Sequence, residues 1–354
     1  MKERERFEAL LRREKPDRVP IWPFGSAGGL SAIHCGKSIA EEYTNPETAL
    51  TVARKTSQDF GWLFIPFYGY ASYGAWEFGG EIKWPSSEFN QAPSITRYPV
   101  VTEEDVWKLE KPDIPKAGII PLQAEFNKLS AKEHLDDEPF KVMAFIGGPF
   151  TAAANTCSVE KMARWLIKKP EVAHHLMQLV TEHLIELTAY WHSLYGTEGV
   201  LIFTAEATAA NNIISPKQFE QFVLPYLKEL HQRILAMGYR HILCHICGEH
   251  NGNMPYWAQV PMGYPGIVSI GHEVNLSKAA GYFPNDIILG NLEPPIVLAQ
   301  TEEDVYRATK VVLEEGMQIA GGYIFSTGCG IPPMSPAANV RAMTKAVNDF
   351  GWYK

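Results

Sequence analysis

The chain is 354 residues long, 46% hydrophobic and 20% charged, the balance of a globular protein with enough apolar side chains for a large core. A formal net charge of −8 with no block of Lys and Arg excludes a nucleic-acid partner, because phosphate binding needs concentrated positive charge. No apolar run approaches the roughly 20 residues of a spanning helix, and the charged start MKERERFEALLRREKPDRVP has no apolar stretch of a secretory leader, so the expected location is cytoplasmic, away from membranes.

The first 20 residues read as a helix with Phe7, Leu10 and Leu11 on one face, stopped by Pro16 and followed by a short strand, RVPIW. From there to about residue 135 the pattern is irregular and rich in aromatics, notably WLFIPFYGYASYGAWEFGGEIKW, and no element is assigned. The part from 136 to 354 alternates regularly. VMAFIGG is a buried-strand candidate, the segment from Pro149 to Leu166 looks mainly helical, and a long amphipathic helix from about Pro170 to Tyr195 leads into the strand GVLIFTAE. Ser215-Pro216 opens a helix running to Met237, with Phe219, Phe222, Leu227 and Leu230 at helical spacing. RHILCHIC, GIVSIG, DIILGN and GGYIFSTG are further short apolar strands, interleaved with helices such as TEEDVYRATKVVLEEG and SPAANVRAMTKAVNDFG.

Strands that are apolar on both faces and alternate with helices make a parallel sheet covered by helices. So many in one run favour a single-domain α/β fold, a (β/α)8 TIM barrel with an N-terminal extension over about 1–135. Active sites of such barrels lie at the C-terminal ends of the strands. That rule selects Glu206, His245, Cys247, His272, Glu273, Asn291 and Cys329.

Of the five cysteines, Cys35, Cys157 and Cys244 read as small buried hydrophobes. His245 and Cys247 are different, because alternate residues of an extended segment point the same way, and Cys329 follows the last strand. An imidazole and two thiolates suit Zn2+ better than the oxygen-seeking magnesium, manganese or calcium. Glu206, His272 and Glu273 are open to several roles: a fourth ligand, a partner orienting His245, a proton donor at the reaction, or a solvated loop residue.

The segments PDRVPIW, IGGPFTAAA, SPKQFEQFVLPYLKEL, CHICG, LGNLEPP and GGYIFSTGCGIPPMSPAANVRAM resemble the uroporphyrinogen decarboxylase superfamily over nearly the whole length, and within it the zinc-dependent, corrinoid-linked methyltransferases. In the decarboxylases an arginine-containing segment follows the first strand and grips the substrate's carboxylates. Here the corresponding stretch, IWPFGSAGG, has no base before Lys37, so a polyacid would lack its counter-charges.

His245, Cys247 and Cys329 match the zinc positions of the methyltransferase branch. The resemblance implies Zn2+ as cofactor and a separate corrinoid protein as partner, docked over the barrel mouth, with a small molecule giving or receiving a methyl group. The expected role leans to the first methyltransferase of an O-demethylase system acting on a methoxyaromatic, with Trp22, Phe67, Tyr68, Asn211 and Asn291 as substrate contacts. A methylcobamide:thiol methyltransferase, with coenzyme M or a similar acceptor, is the alternative. A decarboxylase-like enzyme and a non-catalytic corrinoid-protein-binding barrel are also carried, and a homodimer is a further expectation.

Overall fold

The computed structural model describes residues 1–23 and 28–354. Two short strands, β1 (Glu81–Lys83) and β2 (Ser94–Arg97), form an antiparallel hairpin. Six others make one parallel sheet in chain order: β3 (Val142–Phe145), β4 (Val200–Glu206), β5 (Ile242–Ile246), β6 (Ile267–Ile270), β7 (Ile287–Leu292) and β8 (Tyr323–Thr327). Each is a mainly apolar run buried on both faces, as a sheet walled in by helices requires, with the few polar residues, such as Glu206, His245 and Asn291, at or near the C-terminal end.

Two extended segments from the N-terminal part complete the cylinder. Trp22 N donates to Phe325 O at 3.0 Å and Phe325 N to Pro20 O at 3.0 Å, which seats residues 20–22 beside β8. Leu63 N then donates to Ile21 O at 2.8 Å, and Phe67 packs edge-on against Phe145 of β3 at 5.7 Å. The barrel therefore closes through RVPIW and the WLFIPF stretch.

Helical assignments need several corrections. The first helix is Glu3–Leu11; it ends before Pro16 because Arg13 turns the chain at a φ of 65°. The segment from Pro149 is two helices, Pro149–Cys157 and Val159–Lys168, split at Ser158, whose φ is 83° and whose hydroxyl caps the second. The helix opened by Ser215 likewise divides at Val223 into Pro216–Phe222 and Leu224–Ala236, because Pro225 falls in the first turn of the second and supplies no N–H. Pro170–Tyr195 is one unbroken helix.

The irregular N-terminal part holds helices at Leu30–His34, Ile39–Thr44, Pro46–Phe60, Glu103–Lys108 and Ile120–Lys132 in addition to the hairpin. One contiguous apolar cluster reaches from Phe7 to Val347, so these helices share the core of the barrel.

Candidate metal centre

His245 is the fourth residue of β5 and stands opposite Ser269 of β6 in the sheet register. Ser269 Oγ lies 2.9 Å from His245 Nδ1. Engaging Nδ1 fixes the ring and makes Nε2 the ligating nitrogen, the arrangement usual for a metal-binding histidine. Cys247 is one residue past the end of β5, where Gly248 turns the chain at a φ of +89° that L side chains rarely adopt. Cys329 arrives from the other side, two residues beyond β8. A Cβ on Gly328 would come within 2.6 Å of His272 N, so only glycine lets this loop press against the one after β6.

The result is a compact donor set. Ligand atoms of His245, Cys247 and Cys329 all lie within 4.8 Å of one another, although the two cysteines are 82 residues apart in the chain and their Sγ atoms only 3.7 Å apart. A zinc–sulfur bond of about 2.3 Å in a tetrahedral centre implies a sulfur–sulfur edge of about 3.8 Å, so the spacing suits a shared ion and is far too long for a disulfide. The chemistry of the donors and their spacing both fit zinc.

The charge state is prepared for a cation. The Cys247 thiol donates to the Cys329 sulfur, and that bond, followed by His245, holds the Cys329 thiol well below the usual thiol range despite burial. Cys247 keeps the proton and is raised correspondingly, by the same bond and by burial.

A cavity of about 260 Å³ opens onto this group, walled by Phe67, Tyr70, Tyr73, Phe145 and Phe203 together with His245, Cys247 and Cys329. The β1–β2 hairpin helps close it: Gln91 and Ala92 of the connecting loop are part of the wall, and Tyr43 Oη donates to Gln91 O at 3.1 Å.

Other residues singled out in the sequence sit elsewhere. Of the expected substrate contacts, Phe67 lines the cavity. Tyr68 turns away from it, stacking on Phe126 at 5.0 Å and donating to Tyr43 O at 2.5 Å. Trp22 is buried edge-on against Phe7. Asn211 braces two loops, giving a hydrogen bond to Asn253 Oδ1 at 2.7 Å and accepting one from Gly252 N at 2.8 Å. Asn291 donates to Gly271 O at 3.1 Å and Val274 O at 2.7 Å, which pins the loop after β6. These four have short polar or packing partners within the protein and stand outside the cavity wall.

Glu206 is wholly buried and accepts hydrogen bonds from Phe150 N, Thr151 N and Thr151 Oγ1 at 2.7–2.9 Å. Burial nevertheless pushes its carboxyl up to about 7. It stands behind the cavity wall, bonded to Thr151 and packed against Gly148, both of which line the cavity. His272 and Glu273 form a partly exposed pair at 3.4 Å, and neither joins the three donors, so among the described residues no carboxylate completes the set.

Sequence reasoning missed Ser269, although a single serine inside the apolar run GIVSIG was a visible signal. It also missed the polar backing of the aromatic wall. Glu77 is buried and accepts from Tyr70 Oη at 2.6 Å, Gly74 N at 2.6 Å and Ile119 N at 3.2 Å, and Tyr73 Oη pairs with His183 Nε2 at 2.8 Å. Glu77 lies in the aromatic stretch to which no element was assigned, and His183 on the inner face of the Pro170–Tyr195 helix, where the pattern marks a buried side chain but not its partner. Cys157 and Cys244 are buried and Cys35 partly so.

Fold and site together define a TIM barrel whose strand ends carry a three-donor imidazole–thiol centre beside an apolar cavity. The chain belongs to the uroporphyrinogen decarboxylase family, whose model, described as Uroporphyrinogen decarboxylase (URO-D), matches residues 2–350. A methylcobamide:CoM methyltransferase of Methanosarcina mazei is 26% identical, with 98% of each chain covered. A uroporphyrinogen decarboxylase of Anaeromyxobacter dehalogenans is also 26% identical, covering 98% of this chain and 99% of its own. The solved structure of a methyltransferase from Methanosarcina mazei superposes with a TM-score of 0.83 at 24% identity, covering 99% of both chains, and shares the fold.

Proposed function

We propose that the protein is a zinc-dependent methyltransferase that moves a methyl group between the cobalt of a corrinoid, carried by a partner protein, and a heteroatom of a small molecule. The observation that carries this reading is the convergence of His245, Cys247 and Cys329 on one point at the mouth of the barrel. The family includes both decarboxylases and methyltransferases at equal identity, so the choice rests on the site. A decarboxylase acting on a polyacid needs cations, and no lysine or arginine lines the cavity among the described residues. The stretch where the decarboxylase arginine is expected includes residues 24–27, outside the described residues, and their sequence, FGSA, carries no base.

His245, Cys247 and Cys329 would hold the zinc, with Ser269 fixing the imidazole. Bound there, zinc supplies Lewis acidity toward a substrate sulfur or oxygen, moderated by two thiolates. The aromatic walls surround the donors with apolar surface, a low-dielectric setting that strengthens electrostatic interactions there. The methyl moves as a cation equivalent: the new bond to sulfur forms from a sulfur lone pair while the cobalt–carbon bond breaks and leaves its pair on cobalt, and the thiol proton passes to water.

The relatives named for coenzyme M favour a thiol as the acceptor. The first methyltransferase of an O-demethylase system, acting on a methoxyaromatic, is the second reading, favoured by the aromatic wall.

The test is methyl exchange. Zinc-loaded protein is incubated with a methylated corrinoid protein and a thiol, or with its Co(I) form and a methoxyaromatic, and the corrinoid spectrum is followed. Interconversion of methylcobalt and Co(I) that is abolished in Cys247→Ser and Cys329→Ser supports the reading. No exchange with either class, in protein that binds zinc, overturns it and leaves a corrinoid-protein-binding barrel.

A further inference from the structure

We infer that the small molecule taken by this site is an uncharged aromatic compound carrying the reacting oxygen or sulfur, and that anionic thiols are excluded. This deepens the proposed methyl transfer and rests on it only for the identity of the reacting atom.

The first support is charge. The cavity wall holds no lysine or arginine among the described residues, and between Arg18 and Lys37 the sequence has none to add from residues 24–27. A sulfonate or carboxylate drawn into such a pocket loses its hydration without a counter-ion, which is costly.

The second is the state of the polar groups present. Tyr70 Oη donates to buried Glu77 at 2.6 Å, and Thr151 Oγ1 donates to Glu206 at 2.7 Å. The Tyr73 hydroxyl is paired with buried His183 and that of Tyr43 with the hairpin backbone. Each hydroxyl of the wall thus has a protein partner, and the Gln91 amide, which also lines the cavity, donates to Ile331 O at 3.4 Å, so these side chains are already engaged within the protein.

The third is shape. Phe67, Phe145 and Phe203 pack on one another with ring centroids 5.2–5.7 Å apart, giving a rigid aromatic surface beside the thiols. A cavity of about 260 Å³ exceeds the roughly 150 Å³ that holds a benzene molecule, so a ring with one or two small substituents fits.

The chemistry balances for either heteroatom. With an aryl methyl ether, the oxygen–methyl bond breaks with its pair on oxygen, Co(I) of the partner's corrinoid supplies the pair for the new bond to carbon, and the aryloxide takes a proton from water. With an aromatic thiol the transfer runs the other way, as described for sulfur above.

Titration calorimetry of the zinc-loaded full chain with 2-methoxyphenol, phenylmethanethiol and 2-mercaptoethanesulfonate tests the inference without reference to turnover. The expected result is that at least one neutral aromatic binds at least about tenfold more tightly than the sulfonate. The variant Ala71→Lys, at an exposed position of the cavity rim, is expected to shift that ratio by at least about tenfold toward the sulfonate. Equal or tighter binding of the sulfonate by the unaltered protein, or binding of none of the probes, overturns the inference. Selective aromatic binding without methyl exchange would instead remove the methyl-transfer reading and leave the substrate class standing.

Discussion

Ser269 contributes one hydroxyl to the site, and its effect is to decide which nitrogen of His245 faces the sulfurs. Partners of this kind typically change metal affinity by about 10–100-fold. Ser269→Ala is therefore expected to weaken zinc binding by about that factor in a chelator competition while leaving the melting temperature of the metal-free protein close to unchanged. An unaltered affinity would show that the ring is held by its packing instead.

Glu206 is the opposite case, a carboxylate whose contribution is structural in the first instance. Removing it in Glu206→Ala strands the N–H groups of Phe150 and Thr151 inside the barrel. The expected loss is about 3 kcal/mol of stability, measured by urea unfolding. Its role at the end of β4 was invisible in the sequence, because a glutamate after an apolar run looks the same whether it faces a substrate or caps a buried helix.

At the scale of elements, the six strands of the parallel sheet were legible because each is a short, mainly apolar run bounded by Gly, Asn or charged residues, as in GVLIFTAE and DIILGN. The Ser215 cap was legible for the same reason, a side chain with a mechanism. The N-terminal helices carried signals that went unused. Pro46–Phe60 begins at Asn45, whose side chain accepts from Thr48 N, and ends at Gly61 with a φ of 70°, a start and a stop that bracket the segment. The aromatic run behind it hid these marks, since its residues pack into a crowded shared core and show neither period two nor 3.6. Asn45→Ala tests the cap: it is expected to cost about 1 kcal/mol, read as a lower urea midpoint, and an unchanged midpoint would mean the helix is fixed by packing alone.

Across the whole molecule, the meeting of Cys247 and Cys329 followed from the sequence only through barrel closure. Residues far apart in the chain share a site because β5 and β8 end on the same rim, and the spacing 82 by itself says nothing. What the sequence could not convey is which polar strand-end side chains are already engaged by the protein, as Asn291 and Glu206 are.

The same burial makes the contribution of two core histidines depend on pH. His183, stacked on Tyr73, is held down to about 3 by burial and then by Lys111. His231 is held down to about 4 by burial, with Nδ1 donating to Pro261 O at 2.9 Å. An unfolded histidine takes its proton near 6.5, so between that value and about 4 the unfolded state binds more protons, and stability that is full above pH 6.5 is lost as the pH falls. For His231 alone the loss at the acid end is about 3 kcal/mol. Glu206, whose carboxyl burial pushes up to about 7, acts in the opposite sense over the same range, so the histidine contribution is read as a difference: the melting temperature of His231→Gln is expected to fall less than that of the unaltered protein between pH 7 and pH 4.5, and identical profiles would mean that His231 titrates normally.

The account as a whole depends on an imidazole and two sulfurs binding one metal ion, and zinc-edge X-ray absorption of the full chain reads that shell directly. It predicts two sulfur neighbours at about 2.3 Å and at least one nitrogen at about 2.0 Å, with one sulfur missing in Cys329→Ser. A shell of oxygen and nitrogen alone, or protein that takes up no zinc, would contradict it.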